Sequence, residues 1–187
     1  GRSGVLRHEA ENALDFLFPW GWEGGLPTPP RLALSEGEKI QGLADLADIP
    51  GPRLGIISRG SGAGAFPSQA WWKRAVPVLK SARWHPVILG PQEDSDLPPT
   101  DLRGLMGRIQ ACDALLSPST GPAHLAAALD VPLLCLMGLR PNHAPHRWTP
   151  LGARVQVVQY PGAEGDLTGA MDRLEPAALV PHLDRLR

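Results

Sequence analysis

The sequence lacks a surplus of charge of either sign. Its 18 Lys and Arg against 19 Asp and Glu leave a formal net charge of −1 at pH 7. Electrostatic capture of nucleic acid or of an anionic membrane surface needs a basic surplus, so neither is expected as a partner. Long apolar runs are missing too: no segment reads as a transmembrane helix, and no signal-peptide pattern is visible. Cysteine is scarce. Cys112 and Cys135 have apolar neighbours and read as buried free thiols of a reducing cytoplasm. With His143, His146 and Asp113 they form no C-x-x-C or H-x-x-x-H spacing, so no zinc pattern results. There is no G-x-S-x-G elbow, which argues against a serine hydrolase. Repeats, low-complexity tracts and charge runs are likewise missing.

What is present is a soluble, globular composition. Of 187 residues, 43% are hydrophobic and 20% charged, enough for one good core and short for two domains. The 21 glycines and 21 prolines mark tight loops, because apolar strands recur between them. The chain does not begin with Met and reads as a piece of something longer.

The stretch from Asp113 to Gly152 organises the rest. Ala114-Leu115-Leu116 has the length of a buried strand, and Ser117-Pro118-Ser119-Thr120-Gly121-Pro122 breaks it. Ser119 or Thr120 can cap the following helix, and Pro122 sits where a first-turn proline is tolerated. That helix, Ala123 to Leu129, is alanine-rich, and Leu133 to Met137 reads as a second buried strand. Together they make a βαβ unit of a parallel sheet. Ligands sit at the carboxyl ends of such strands, and the amides opening the helix favour an anion.

Elsewhere, apolar spacing predicts an amphipathic helix over 6–18, followed by a Pro-, Gly- and Trp-rich loop in which Trp20 and Trp22 are packing plugs. Residues 1–34 thus read as a helix and loop, and 35–187 as a Rossmann-like α/β domain. Ser35-Glu36-Gly37-Glu38 is a capping box for a helix to about Ala47. A first core strand, Leu54 to Ser58, leads into the glycine-rich loop Arg59 to Ala65. Ser68 to Ser81 is a helix kinked at Pro77, in which Trp71 and Trp72, being adjacent, cannot both face the core squarely. Pro86 to Leu89 is a strand, and a third one, expected near Asp96–Pro99, is degenerate. Thr100-Asp101 caps a helix to Ala111. Arg154 to Val158 alternates like a strand, and Pro176 to Leu186 reads as a helix.

STGPAHLAAAL, the VP-led strand after it, Gly138 and the Arg147-Trp148-Thr149-Pro150-Leu151-Gly152 run resemble the C-terminal half of glycosyltransferase family 9, the heptosyltransferases. The resemblance implies a GT-B fold, of which this chain is the Rossmann-like, mainly parallel donor half. It implies no cofactor and no metal site, with a nucleotide-diphosphate sugar such as ADP-heptose as substrate. Transfer would be inverting and metal-independent, to a lipopolysaccharide or other glycan or lipid-linked acceptor held by an N-terminal domain. The enzyme would be cytoplasmic or peripheral to the inner membrane. Thr120, Gly121 and Pro122 match the diphosphate cradle, with His124 at the donor. Arg59, Gly60, Ser61 and Gly62 match a phosphate or sugar loop, and Glu93 an acidic residue near the nucleoside. The general base is expected outside this chain, so the chain alone is expected to be inactive.

Two positions depart from the family pattern. Ser119 stands where active members carry Asp, and the lysine after the glycine loop is absent, leaving Arg59 as a substitute cation; Lys73 lies in the next helix. These departures keep open a non-catalytic nucleotide-sugar-binding or interaction domain. A third reading, an NAD-dependent oxidoreductase, hangs on the glycine loop alone, and the next strand ends without the acidic residue that such a fingerprint requires. Bland readings stand beside the sharp ones: His124 as a core histidine, Glu93 as a surface carboxylate, the glycines as a tight turn.

Overall fold

Five short runs become the strands of one sheet in the computed structural model, which describes residues 7–59, 66–90, 95, 97–138, 144–160 and 167–187. The strands are β1 (Arg53–Ile57), β2 (His85–Gly90), β3 (Ala114–Pro118), β4 (Leu133–Met137) and β5 (Val155–Gln159). They lie in the order β2-β1-β3-β4-β5, and every pairing is parallel. β3 and β4 are buried along their whole length. Interior strands covered on both faces need no polar alternation, which is why they read as continuous apolar runs. The chain steps outward from β1 to β2 and then returns past β1 to β3. This reversal makes a switch point at the carboxyl ends of β1 and β3.

Alternate side chains supply two cores. Leu54, Ile56, Leu116, Leu134 and Leu136 pack with Trp71, Trp72 and Leu79 of α3 (Gln69–Ser81) and with Leu179 and Leu183 near the C-terminal end. On the other face, Leu115, Leu133, Cys135 and Met137 meet Met106 and Ile109 of α4 (Leu102–Gln110) and Ala123 and Ala126 of α5 (Gly121–Ala128). The result is a three-layer, Rossmann-like α/β domain, as the sequence implies. α2 (Glu36–Asp45) rides on α4 through two glycines. A Cβ on Gly42 would run into the Gly107 carbonyl, and one on Gly107 would lie 2.7 Å from the Glu38 oxygen. Beside them Arg108, 3% exposed, donates to Asp45 at 2.5 Å and to the Pro98 carbonyl at 2.8 Å. At the entry ends of β1 and β3 the Arg53 amide donates to Asp113 Oδ2 (2.6 Å), and the Asp113 amide to the Arg53 carbonyl (3.0 Å).

Several expectations need correction. The helix expected over 6–18 is α1 (Glu9–Leu14) followed by a 3-10 turn, Asp15–Trp20. Pro19 explains the change, because its ring would clash with the Asp15 carbonyl in a continued α-helix and it has no amide to donate. Trp20 is 77% exposed and plugs nothing, whereas Trp71 and Trp72 are both buried, edge to face at 4.8 Å. Pro77 lies inside α3, which continues to Ser81. The C-terminal helix is a 3-10 turn, Pro176–Leu179, then α8 (Val180–Asp184). Two short helices escape the sequence reading: α6 (Pro145–Trp148) and α7 (Leu167–Asp172) are too brief for periodicity to show. No strand forms at described positions 97–99.

Candidate functional site at the switch point

β3 ends at Pro118, and the Ser119 amide donates to the Leu136 carbonyl of β4 (3.2 Å), fixing the turn before α5. Thr120 is the N-cap in extended conformation, but its hydroxyl does not cap the helix. It pairs instead with Ser117 Oγ (3.0 Å), which itself donates to the Pro118 carbonyl (2.8 Å). The main-chain donors can be followed one by one. Pro122 has none, and the amides of Ala123 and His124 both turn back to the Thr120 carbonyl (3.1 and 3.4 Å). The amides of Thr120 and Gly121 are left without a described acceptor, at the positive end of the α5 dipole. Of Thr120, Gly121 and Pro122, expected from the resemblance to form a diphosphate cradle, the first two thus offer open main-chain donors. Gly121 is exposed, and a Cβ there would meet no described atom within 4 Å.

His124 follows one turn into α5, half-buried. Burial first, and then the repulsion that would arise were both rings, His124 and His8, protonated, push its pKa below the ordinary histidine value. At neutral pH its ring is an uncharged donor or acceptor beside the cradle. His8 is the N-cap of α1 and spans two elements: its Nδ1 accepts from the Ala10 amide (3.1 Å), and its Nε2 donates to the Thr149 carbonyl (2.9 Å). Next to it Arg147 Nε donates to Glu9 Oε1 at 2.7 Å, and Nη2 reaches the same oxygen. This pairing holds Glu9 below the usual carboxylate range. Neither His8 nor Arg147 emerged as a site residue from sequence. They come together across 138 to 141 positions, and no local spacing announces such a contact.

Of the other predicted donor residues, Arg59 is described and exposed just after β1, beside Ser58, whose Oγ donates to the Gly90 carbonyl (3.2 Å). Gly60, Ser61, Gly62 and Glu93 lie outside the described residues, as does His143, and His146 is on α6. Both cysteines are buried and free, and burial pushes each thiol up to about 12, so neither serves as a nucleophile. Among the described residues no His, Cys, Asp and Glu cluster could hold a metal. The sequence reading passed over Asp94-Ser95-Asp96, an Asp-x-Asp pair whose two aspartates also lie outside the described residues. A groove of about 260 Å³ opens at the other end of α5, lined by residues 28–32 and 127–130, away from this chemistry.

Residues 94–175 match the family model described as glycosyltransferase family 9 (heptosyltransferase). The chain resembles that family. The match takes in Ser119, Thr120, Gly121, Pro122 and His124 and leaves out Arg59, Gly60, Ser61, Gly62 and Glu93. Among solved structures, a family 9 glycosyltransferase from Veillonella parvula aligns with TM-score 0.75 and 14% identity over 97% of the chain. The ADP-heptose lps heptosyltransferase II of E. coli aligns with 0.68 and 22% over 86%, and the E. coli heptosyltransferase WaaC, solved with ADP, with 0.65 and 16% over 98%. At such identities the likeness is one of fold. The chain spans 60%, 55% and 58% of these three, which places it as one half of a GT-B architecture. No curated protein sequence matches the chain. Among the described residues no helix is long and apolar enough to cross a membrane.

Proposed function

We propose that this chain is the donor-binding half of a glycosyltransferase that uses ADP-heptose or a related nucleotide-diphosphate sugar. The observation that carries the reading is the pair of open amides, Thr120 and Gly121, beside an uncharged His124 at the β1/β3 switch point. In inverting transfer an acceptor hydroxyl attacks the anomeric carbon as the bond to the diphosphate breaks. Negative charge then grows on the departing phosphate oxygen. Fixed amides and a helix dipole stabilise that charge without reorganising. His124 adds a hydrogen bond, and Arg59 supplies a cation from the facing loop. The acceptor, a lipopolysaccharide or other glycan, and the base that takes its proton belong to a facing domain, in a cytoplasmic or membrane-peripheral enzyme.

Calorimetry with ADP tests the donor site. Gly121→Val projects a branched side chain into the space before the cradle amides, while no described atom stands in its way. ADP affinity is expected to fall at least about tenfold, roughly the worth of one charge-assisted hydrogen bond, with Tm unchanged. Unaltered affinity sinks the reading. Ser119, where active family members carry Asp, favours a second reading in which binding persists without turnover. Binding of ADP-heptose by a full-length parent that transfers nothing would establish it.

A further inference from the structure

α1 has no buried residue and is six residues long, too short to hold itself together in water. No fully buried side chain anchors it; polar contacts tie it down. With Nδ1 of His8 taken by the Ala10 amide, its Nε2 carries the hydrogen given to Thr149, so one neutral tautomer uses both ring nitrogens. Arg147 brings two nitrogens to one oxygen of Glu9, both side chains being half-buried, 31% and 24% exposed. The path continues inward. The Thr149 hydroxyl bonds to the Pro145 carbonyl (2.7 Å) and lies 3.7 Å from the sulfur of Met137, the last residue of β4. The neighbouring Leu136 carbonyl holds the Ser119 amide at the cradle turn. An unbroken series of contacts thus joins the start of α1 to the anion cradle.

We propose that the His8–Glu9 end of α1 and the Arg147–Thr149 turn form a latch that sets the geometry of the cradle, making His8 and Arg147 positioning residues for His124. Only its effect on nucleotide affinity rests on the donor reading; the latch itself does not. His124 is tied to the cradle turn through its amide, which donates to the Thr120 carbonyl (3.4 Å).

The test uses the whole chain with Arg147→Met, Glu9→Gln, their double variant and Arg147→Lys, and ADP as the ligand probe. Three quantities are read: amide exchange over residues 9–14, the NMR titration midpoint of the His124 ring, and ADP affinity. Each neutralising variant is expected to speed exchange in α1 by about tenfold while β3 and β4 stay protected. The double variant goes no further than the singles, as members of one pair should. The His124 midpoint moves up as water gains access to its ring, and ADP binding weakens by about fivefold or more. Arg147→Lys, which keeps a cation near Glu9, recovers most of the wild-type behaviour. Unchanged α1 exchange in both single variants overturns the proposal, as does faster exchange with an unmoved His124. If the wild-type chain binds no ADP, the donor reading fails separately, and exchange and His124 still decide the latch.

Discussion

Gly42, Gly107 and Gly121 differ in what they face: the first two look onto backbone, the third onto open space. The first two let the backbones of α2 and α4 touch, so Gly42→Ala forces a carbon onto a carbonyl that cannot swing aside. Overpacking of that kind costs about 1–3 kcal/mol, and this site, with backbone on the other side, belongs at the upper end. Gly121→Ala meets no described atom and is expected to stay within about 0.5 kcal/mol when both variants are unfolded in urea. Burial works to raise the pKa of Asp45, yet its bonds to Arg108 and Gln41 prevail and hold it low. Arg108→Ala strands that carboxylate beside α4, a loss expected to reach about 3–5 kcal/mol. From sequence the two helix glycines look alike and neutral, since the contact that gives them meaning lies 65 residues away in the chain. Cysteines flanked by apolar residues were legible as buried thiols because composition alone favours that outcome.

Helix starts were the most legible elements, since each carries its own local chemistry. Ser35 and Glu38 cap each other's backbone as the sequence spacing requires, Ser68 accepts from the Trp71 amide, and Asp101 from the Gly104 amide. Only the structure adds Arg103, whose guanidinium bonds both oxygens of Glu38 and, with the cap, pulls that carboxyl down to about 2. A depressed carboxylate contributes stability above its ordinary value of 4.5 and loses it as pH falls toward about 2. Glu9 and Asp45 shift in the same direction and add to the same window. The urea midpoint is therefore expected to fall between pH 5 and 2, and Glu38→Gln should flatten part of that fall by removing the titration. A slope identical to wild type would deny the cap its electrostatic role. Helix ends and short helices were less legible. Pro19 acts on a carbonyl four residues back, and the four residues of α6 leave no repeat to count.

For the whole molecule, strand existence and parallelism were readable from the βαβ pattern, whereas the order β2-β1-β3-β4-β5 was not. Apolar runs say that a strand is interior but not between which neighbours. Thr120 and Gly121 could be singled out from their motif, but which amides stay open depends on where Ala123 and His124 turn, and that needs coordinates. Two expectations belong to this scale. ADP binding should survive EDTA, since the open amides of Thr120 and Gly121 and the ring of His124 offer donors to the diphosphate without a metal. Loss with EDTA and recovery with magnesium would turn attention to Asp94 and Asp96. The chain alone should transfer no sugar, because holding two substrates in register is worth about 7–11 kcal/mol and a general base a further 10²–10⁴-fold, and both need a facing surface. Product from the purified chain, by mass spectrometry, would refute this. The clasp between Arg53 and Asp113 bears on how that surface is met. It pins β1 to β3 at their entry ends, while their ladder stops at Ile56 and Leu116 and the β3–β4 ladder runs on to Pro118. The two strands are thus built like tongs, riveted from Asp113 to Leu116 and unladdered to each other toward Arg59 and Ser119. Beyond the rivet each tip is carried by its outer neighbour, Ile57 by β2 and Pro118 by β4, so the gap between them is set by the outer strands and not by the clasp.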